Sequence, residues 1–240
     1  MDKFDLYRDI AERTDGDIYI GVVGPVRTGK STLIRRFMEI LVLPNMNNDH
    51  KKERARDEMP QSGAGRTIMT TQPKFVPNEA VEIRIRENAN LRVRMVDCVG
   101  YLVKGATGYM EGEGPRMVST PWFEHDIPFE DAAEIGTRKV ITDHSTIGLV
   151  VTTDGTITDI PRSNYVEAEE RVIKELKELN KPFIVILNSR NPENEETRKL
   201  KGALEEKYNV PVLALDVLNL TEEDIHDILS NVLFEFPLTE

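Results

Sequence analysis

The chain is 240 residues long, with 39% apolar residues, 30% charged residues and a formal net charge of −11. That length supports one α/β domain with a sizeable core, and the acidic balance argues against broad nucleic-acid binding and against an electrostatic membrane anchor. A single cysteine excludes an internal disulfide and points to a reducing compartment, and neither a membrane span nor a signal peptide is expected.

Phe4, Tyr7, Ile10 and Ala11 repeat at helical spacing and Asp15-Gly16 ends the segment, so residues 1–16 read as a short helix packed on the main body. Ile18, Ile20, Val22 and Val23 form a β-branched apolar run and predict a buried strand. Gly24-Pro25-Val26-Arg27-Thr28-Gly29-Lys30-Ser31 follows and fits G-x-x-x-x-G-K-[ST], the phosphate-binding P-loop. Helical spacing from Ser31 to Leu41 completes the strand, loop and helix start that the motif requires. Polyphosphate oxygens need several donors converging on one point, and successive backbone N–H groups plus a helix N-terminus supply them. Gly24, Val26, Arg27, Thr28, Gly29, Lys30, Ser31 and Thr32 are therefore the candidate nucleotide-binding residues. Lys30 carries a mobile charge for the β and γ oxygens, and Ser31 Oγ is a candidate ligand of Mg²⁺.

Residues 44–66 are polar, without periodicity, and are expected to be a loop. They open a candidate first switch, residues 44–72, that ends on Thr70-Thr71. A threonine there can ligate Mg²⁺ and contact the γ-phosphate, so Thr70 and Thr71 are candidate catalytic and metal residues. Val81, Ile83 and Ile85 alternate with charged residues, as do Leu91, Val93 and Met95, predicting an antiparallel hairpin with a basic, solvated face. It leads into Asp97-Cys98-Val99-Gly100, a D-x-x-G at a strand end. Asp97 can hold a Mg²⁺-bound water, and the Gly100 N–H can meet the γ-phosphate. Cys98 reads as a small core residue. Residues 97–128 are glycine-rich and are the candidate second switch, which Trp122-Phe123 can anchor or merely cover. Strands are then expected over residues 146–153, 182–188 and 210–215, and helices over 129–142, 168–179, 195–208 and 221–234. The alternation predicts an α/β, P-loop NTPase fold across residues 1–240, a three-layer sandwich with a mostly parallel sheet and one antiparallel strand.

At the end of the 182–188 strand lies Asn188-Ser189-Arg190-Asn191. With the P-loop, Thr70-Thr71 and Asp97-x-x-Gly100, it resembles the translation-factor class of GTPases, which carries N-K-x-D at this position. Asn191 replaces the aspartate that accepts both guanine donors. A carboxamide instead matches the donor-acceptor edge of adenine, and a mismatched buried hydrogen-bonding site discriminates by up to about 10⁴–10⁵-fold. ATP is thus expected over GTP, with Asn188, Arg190 and Asn191 near the base. Asp154, Asp216 and Val217, just past strand ends, are weaker candidates for the base or ribose. Tyr101 stands where many GTPases place a water-orienting glutamine, so slow hydrolysis is expected. Arg27 is open to two readings: a charge supplied in cis, or a solvent-facing side chain.

Over essentially the whole chain these motifs, with their departures, resemble the N-terminal ATPase domains of the stage IV sporulation protein A family. The resemblance implies Mg²⁺-dependent ATP hydrolysis that drives polymerisation into the base of a spore coat. It also implies docking on a small membrane-bound anchor peptide and other coat proteins, at the forespore surface in the mother-cell cytoplasm, and further C-terminal domains. A regulatory GTPase and a P-loop kinase are the competing classes. Asn191 and Ser189 count against the first, and the antiparallel strand before Asp97 against the second.

Overall fold

The structure is a computed structural model that describes residues 17–60, 68, 73–85 and 89–235. The expected helix over residues 1–16 and the Thr70-Thr71 pair lie outside the described residues.

Alternating β-branched residues build a six-stranded sheet in the order β10-β9-β8-β1-β3-β2. Its strands are β1 (Asp17–Val23), β2 (Lys74–Ile85), β3 (Ala89–Asp97), β8 (Ile147–Thr153), β9 (Phe183–Asn188) and β10 (Val212–Leu215). Every pairing is parallel except β2 with β3, so the predicted single antiparallel strand is where the hairpin placed it. β1, β8 and β9 are almost wholly buried, as strands covered on both faces must be.

The period-2 alternation divides the core in two. Ile18, Ile20 and Val22 face one layer with Leu33, Ile34 and Phe37 of α1 (Lys30–Phe37) and Ile225, Ile228 and Val232 of α6 (Glu222–Phe234). Val23, Val150 and Val185 face the other layer with Phe129, Ala133 and Val140 of α3 (Phe129–Asp143) and Val172 and Leu176 of α4 (Val166–Glu178). Leu204 of α5 (Glu195–Tyr208) joins that second layer. Thr221 begins α6 as expected: the Asp224 N–H donates to its Oγ1, and its own N–H donates to Asp224 Oδ2.

Some expectations are corrected. The helix after the P-loop does not run regularly to Leu41. It widens into a π turn at Met38–Val42, where the Leu43 N–H reaches the Met38 carbonyl, and ends in a 3₁₀ turn over Leu43–Asn45. Pro44 has no N–H to continue the ladder. The stretch expected to be loop from residue 44 contains α2 (Asp49–Asp57), capped by Asn48 Oδ1 accepting from the Lys51 N–H. This helix buries only Ala55, so it carries no apolar stripe to read. The second-switch region is built as two small ribbons, β4 (Met110–Glu111) with β5 (Gly114–Pro115) and β6 (Met117–Val118) with β7 (Ile127–Pro128). Trp122 packs toward Gly136 of α3, whereas Phe123 is exposed. The basic face of the hairpin is not simply solvated. Arg92 pairs with Asp17, and Arg94 lies 3.6 Å over the Phe75 ring, half-buried.

Candidate nucleotide-binding site

β1 lies between β3 and β8, so the loops leaving β1 and β3 meet at the carboxyl edge of the sheet, where α/β folds bind ligands. The P-loop leaves β1 there and caps α1 with Gly29, which has φ +97°. The first intrahelical bond runs from Leu33 N–H to Gly29 O, so the N–H groups of Lys30, Ser31 and Thr32 have no partner within the helix. Every other described α-helix places at least one carboxylate in its first turn, and α1 places none. The positive end of its dipole is therefore left for an anion from outside.

Two cations share this loop. Lys30 is buried, and its Nζ donates to Pro25 O at 2.6 Å. Burial pushes its ammonium pKa down. Asp97 opposes the shift, and the neighbouring Arg27 guanidinium adds to it. Arg27 is half-buried with φ +62°, and its guanidinium senses the Tyr165 phenol.

Ser31 Oγ donates to Asp97 Oδ2 at 2.6 Å. Asp97 is 1% exposed, and its Oδ1 is buried with no hydrogen-bond partner among the described residues. Burial raises its pKa to about 6, against the hydrogen bond from Ser31 and the charge of Lys30. A half-buried hydroxyl bonded to a buried carboxylate with an orphaned oxygen fits a divalent cation held mainly by phosphates. No cluster of three or more His, Cys, Asp or Glu that could hold a metal occurs among the described residues. Cys98, next in sequence, is buried with its thiol raised to about 11, as a core residue should be.

Gly100 has φ +92°, and a Cβ there would lie 2.3 Å from Gly24 O and 2.6 Å from Lys30 Nζ, so only glycine fits. Its N–H, expected at the γ-phosphate, donates to Thr137 Oγ1 at 3.1 Å. The next residue zips to the P-loop through Val26 N–H to Tyr101 O, 2.9 Å. The Tyr101 hydroxyl donates to Glu175 Oε2 at 2.6 Å, under an Arg171 guanidinium 4.2 Å from its ring. It is turned onto α4, where it cannot orient a water at the P-loop.

Asn188 is brought to the P-loop from the end of β9. Its Nδ2 donates to Thr28 O at 2.9 Å, and its Oδ1 accepts from Val217 N–H at 3.2 Å. It braces the loop. Thr28 and Val26 likewise turn inward, with Thr28 Oγ1 on Pro25 O and Val26 in the core. Thr32 is half-buried in the first turn of α1. Asn191 is exposed, and its carboxamide makes no hydrogen bond among the described residues, so its polar edge is open. Its N–H is held by Ser189 Oγ at 3.0 Å, and the Arg190 N–H by Thr156 Oγ1.

The two weaker carboxylate candidates make hydrogen bonds to the scaffold. Asp154 accepts from the Thr156 N–H and hydroxyl and from Thr197 Oγ1. Its burial alone would raise its pKa, but hydrogen bonds from Ser189, Thr156 and Thr197 hold it below the ordinary carboxylate range. Asp216 caps a 3₁₀ turn through the Leu218 N–H and Asn219 Nδ2. Thr137, Glu175 and Arg171 were not singled out from the sequence. Thr137 had one signal: it shares a helical stripe with Ala133, Val140 and Ile141, where a hydroxyl is out of place.

The family model described as "Stage IV sporulation protein A, ATPase domain" matches residues 1–237. The chain is 63% identical over 235 residues to stage IV sporulation protein A of Clostridioides difficile, covering 98% of this chain and 48% of that protein. It is 59% identical over 240 residues to the proteins of the same description in Bacillus anthracis and Bacillus subtilis, covering 100% of this chain and 49% of each. The chain thus spans about half the length of the curated relatives it matches. Among solved structures, a crystal structure of an SsGBP variant has TM-score 0.50 at 15% identity, covering 97% of this chain and 62% of that one, a likeness of fold alone.

Proposed function

The chain belongs to the stage IV sporulation protein A ATPase-domain family, and on that premise we propose that it binds ATP with Mg²⁺ at residues 24–32 and hydrolyses the γ-phosphate by in-line attack of water. The observation that carries the reading is a buried Lys30 at a helix N-terminus that has free N–H groups and no acid in its first turn.

Lys30 leaves Pro25 O for the β and γ oxygens, and the N–H groups of α1 cradle the phosphates. Ser31 and one of Thr70 or Thr71 would hold Mg²⁺, with Asp97 reaching it through water. The ion when bound supplies charge neutralisation at the phosphates. Arg27 adds a second positive charge in cis, which compensates in part for the absent glutamine. Asn188 fixes the height of the P-loop, and Asn191 reads the adenine edge through its open carboxamide.

In the whole protein, hydrolysis drives self-assembly into a coat layer on the forespore surface. Docking there on a small membrane-bound anchor peptide and other coat proteins, in the mother-cell cytoplasm, belongs to the same reading. Among the described residues no helix is long and apolar enough to cross a membrane. The net charge of −11 argues against broad nucleic-acid binding.

The test is competition between ATP and GTP for the wild type and for Asn191→Asp, followed by phosphate release and sedimentation of the full-length protein. ATP preference in the wild type and a shift toward GTP in the variant are expected, and tight guanine preference in the wild type refutes the reading. Ser189 is buried against Thr197 and holds the Asn191 N–H, so a lysine there would displace the loop.

A further inference from the structure

The donor that the ATPase reading assigns to the γ-phosphate is already in use. The Gly100 N–H donates to Thr137 Oγ1 at 3.1 Å in buried surroundings. Thr137 is 0% exposed at mid-α3, on the apolar stripe of that helix. A hydroxyl there needs a partner, and the nearby amide supplies one. The Gly100 peptide is also pressed against the phosphate site, because Lys30 Nζ and Gly24 O occupy the space a side chain would take. Lys30 meanwhile donates to Pro25 O. Both groups assigned to the γ-phosphate are thus satisfied by the protein itself.

We propose that Thr137 is a positioning residue for the ATPase reaction: its hydroxyl holds the Gly100 amide away from the phosphate site until the γ-phosphate of ATP takes that amide over. One hydrogen bond is exchanged for another, so the peptide has two discrete settings. A charged phosphate oxygen is the stronger acceptor, and a diphosphate does not extend to this amide. Thr137 therefore sets the threshold at which the second switch distinguishes ATP from ADP. Gly100, with no Cβ, lets the peptide turn.

This inference rests on the ATPase reading. The experiment measures the affinity of full-length protein for a non-hydrolysable ATP analogue and for ADP, in the wild type, Thr137→Val and Thr137→Ser. Valine keeps the shape but offers no acceptor, so the unliganded state loses its catch. Thr137→Val is expected to bind the triphosphate analogue about 3- to 10-fold tighter, the worth of one hydrogen bond, with ADP affinity unchanged. Thr137→Ser should match the wild type. Melting curves establish that the variants fold, and Thr137→Ala replaces the valine variant if that one does not. Equal changes for both nucleotides, an unchanged triphosphate affinity or a weaker one overturns the proposal. Failure of the wild type to bind the triphosphate analogue overturns the ATPase reading instead.

Discussion

Glu169 lies in the first turn of α4 and is 0% exposed. Its Oε2 accepts from Thr152 Oγ1 at 2.5 Å and from an Arg162 guanidinium nitrogen at 2.8 Å. Its Oε1 accepts from the other guanidinium nitrogen at 2.8 Å and from the Tyr208 hydroxyl at 2.7 Å. One carboxylate thereby joins the end of β8, the turn before α4 and the end of α5. The chain just after Thr152 carries Asp154, which ties down Thr197. Glu169→Leu strips four donors of their acceptor at once. Breaking a buried ion pair by removing one partner costs about 3–5 kcal/mol. The Arg162 side chain is 19% exposed and recovers part of its solvation, so the lower end, about 3 kcal/mol, applies. Glu169→Gln keeps the shape but removes the charge that pairs Arg162 and turns an NH₂ donor toward two of the same donors, so it should also cost about 3 kcal/mol. Urea unfolding followed by circular dichroism measures both, and for a domain of this size the leucine variant should melt about 6–12 °C lower. A loss under about 1 kcal/mol for either variant would refute the assignment of this carboxylate as a structural hub.

Three further outcomes follow from the site. The Asp97 carboxyl sits at about 6 in the fold against an ordinary 3.8, because burial disfavours its charge. Ionised Asp97 therefore costs stability above pH 6, by about 2–3 kcal/mol, and that cost disappears as the pH falls through 6 toward 3.8. Asp97→Asn should stabilise the nucleotide-free protein at pH 7, flatten its stability profile between about pH 4 and 6, and abolish Mg²⁺-dependent nucleotide binding; a lower melting temperature in the absence of nucleotide contradicts this. Asn188→Ala removes bonds to Thr28 O and Val217 N–H and should weaken nucleotide binding about tenfold, with about 1–3 kcal/mol of stability lost. Calorimetry on the folded variant checks it, and unchanged affinity counts against the brace. Arg27→Ala in the full-length protein should keep ATP binding and slow phosphate release by about 10³-fold; equal turnover sinks the cis charge.

The sequence by itself determined the P-loop, the strand and helix around it, the antiparallel hairpin and the order of the later elements. Each of these is a contiguous pattern: a glycine-bounded loop, a period of two or a helical stripe, all set by bonds between near neighbours. It also marked Asn191, because the chemistry of a carboxamide is the same wherever it stands. α2 escaped because its helix buries a single alanine, and the arginines of the hairpin escaped because Asp17 and Phe75 meet them only across strands. Tertiary structure alone decided which of these polar groups bond to the protein itself. Asn188 reaches Thr28 across 160 residues of chain, Gly100 finds Thr137 across 37, and Asp154 is claimed by Thr197 across 43. A hydrogen bond has a reach of about 3 Å, and only the packing of strand ends beside β1 brings such distant groups within it.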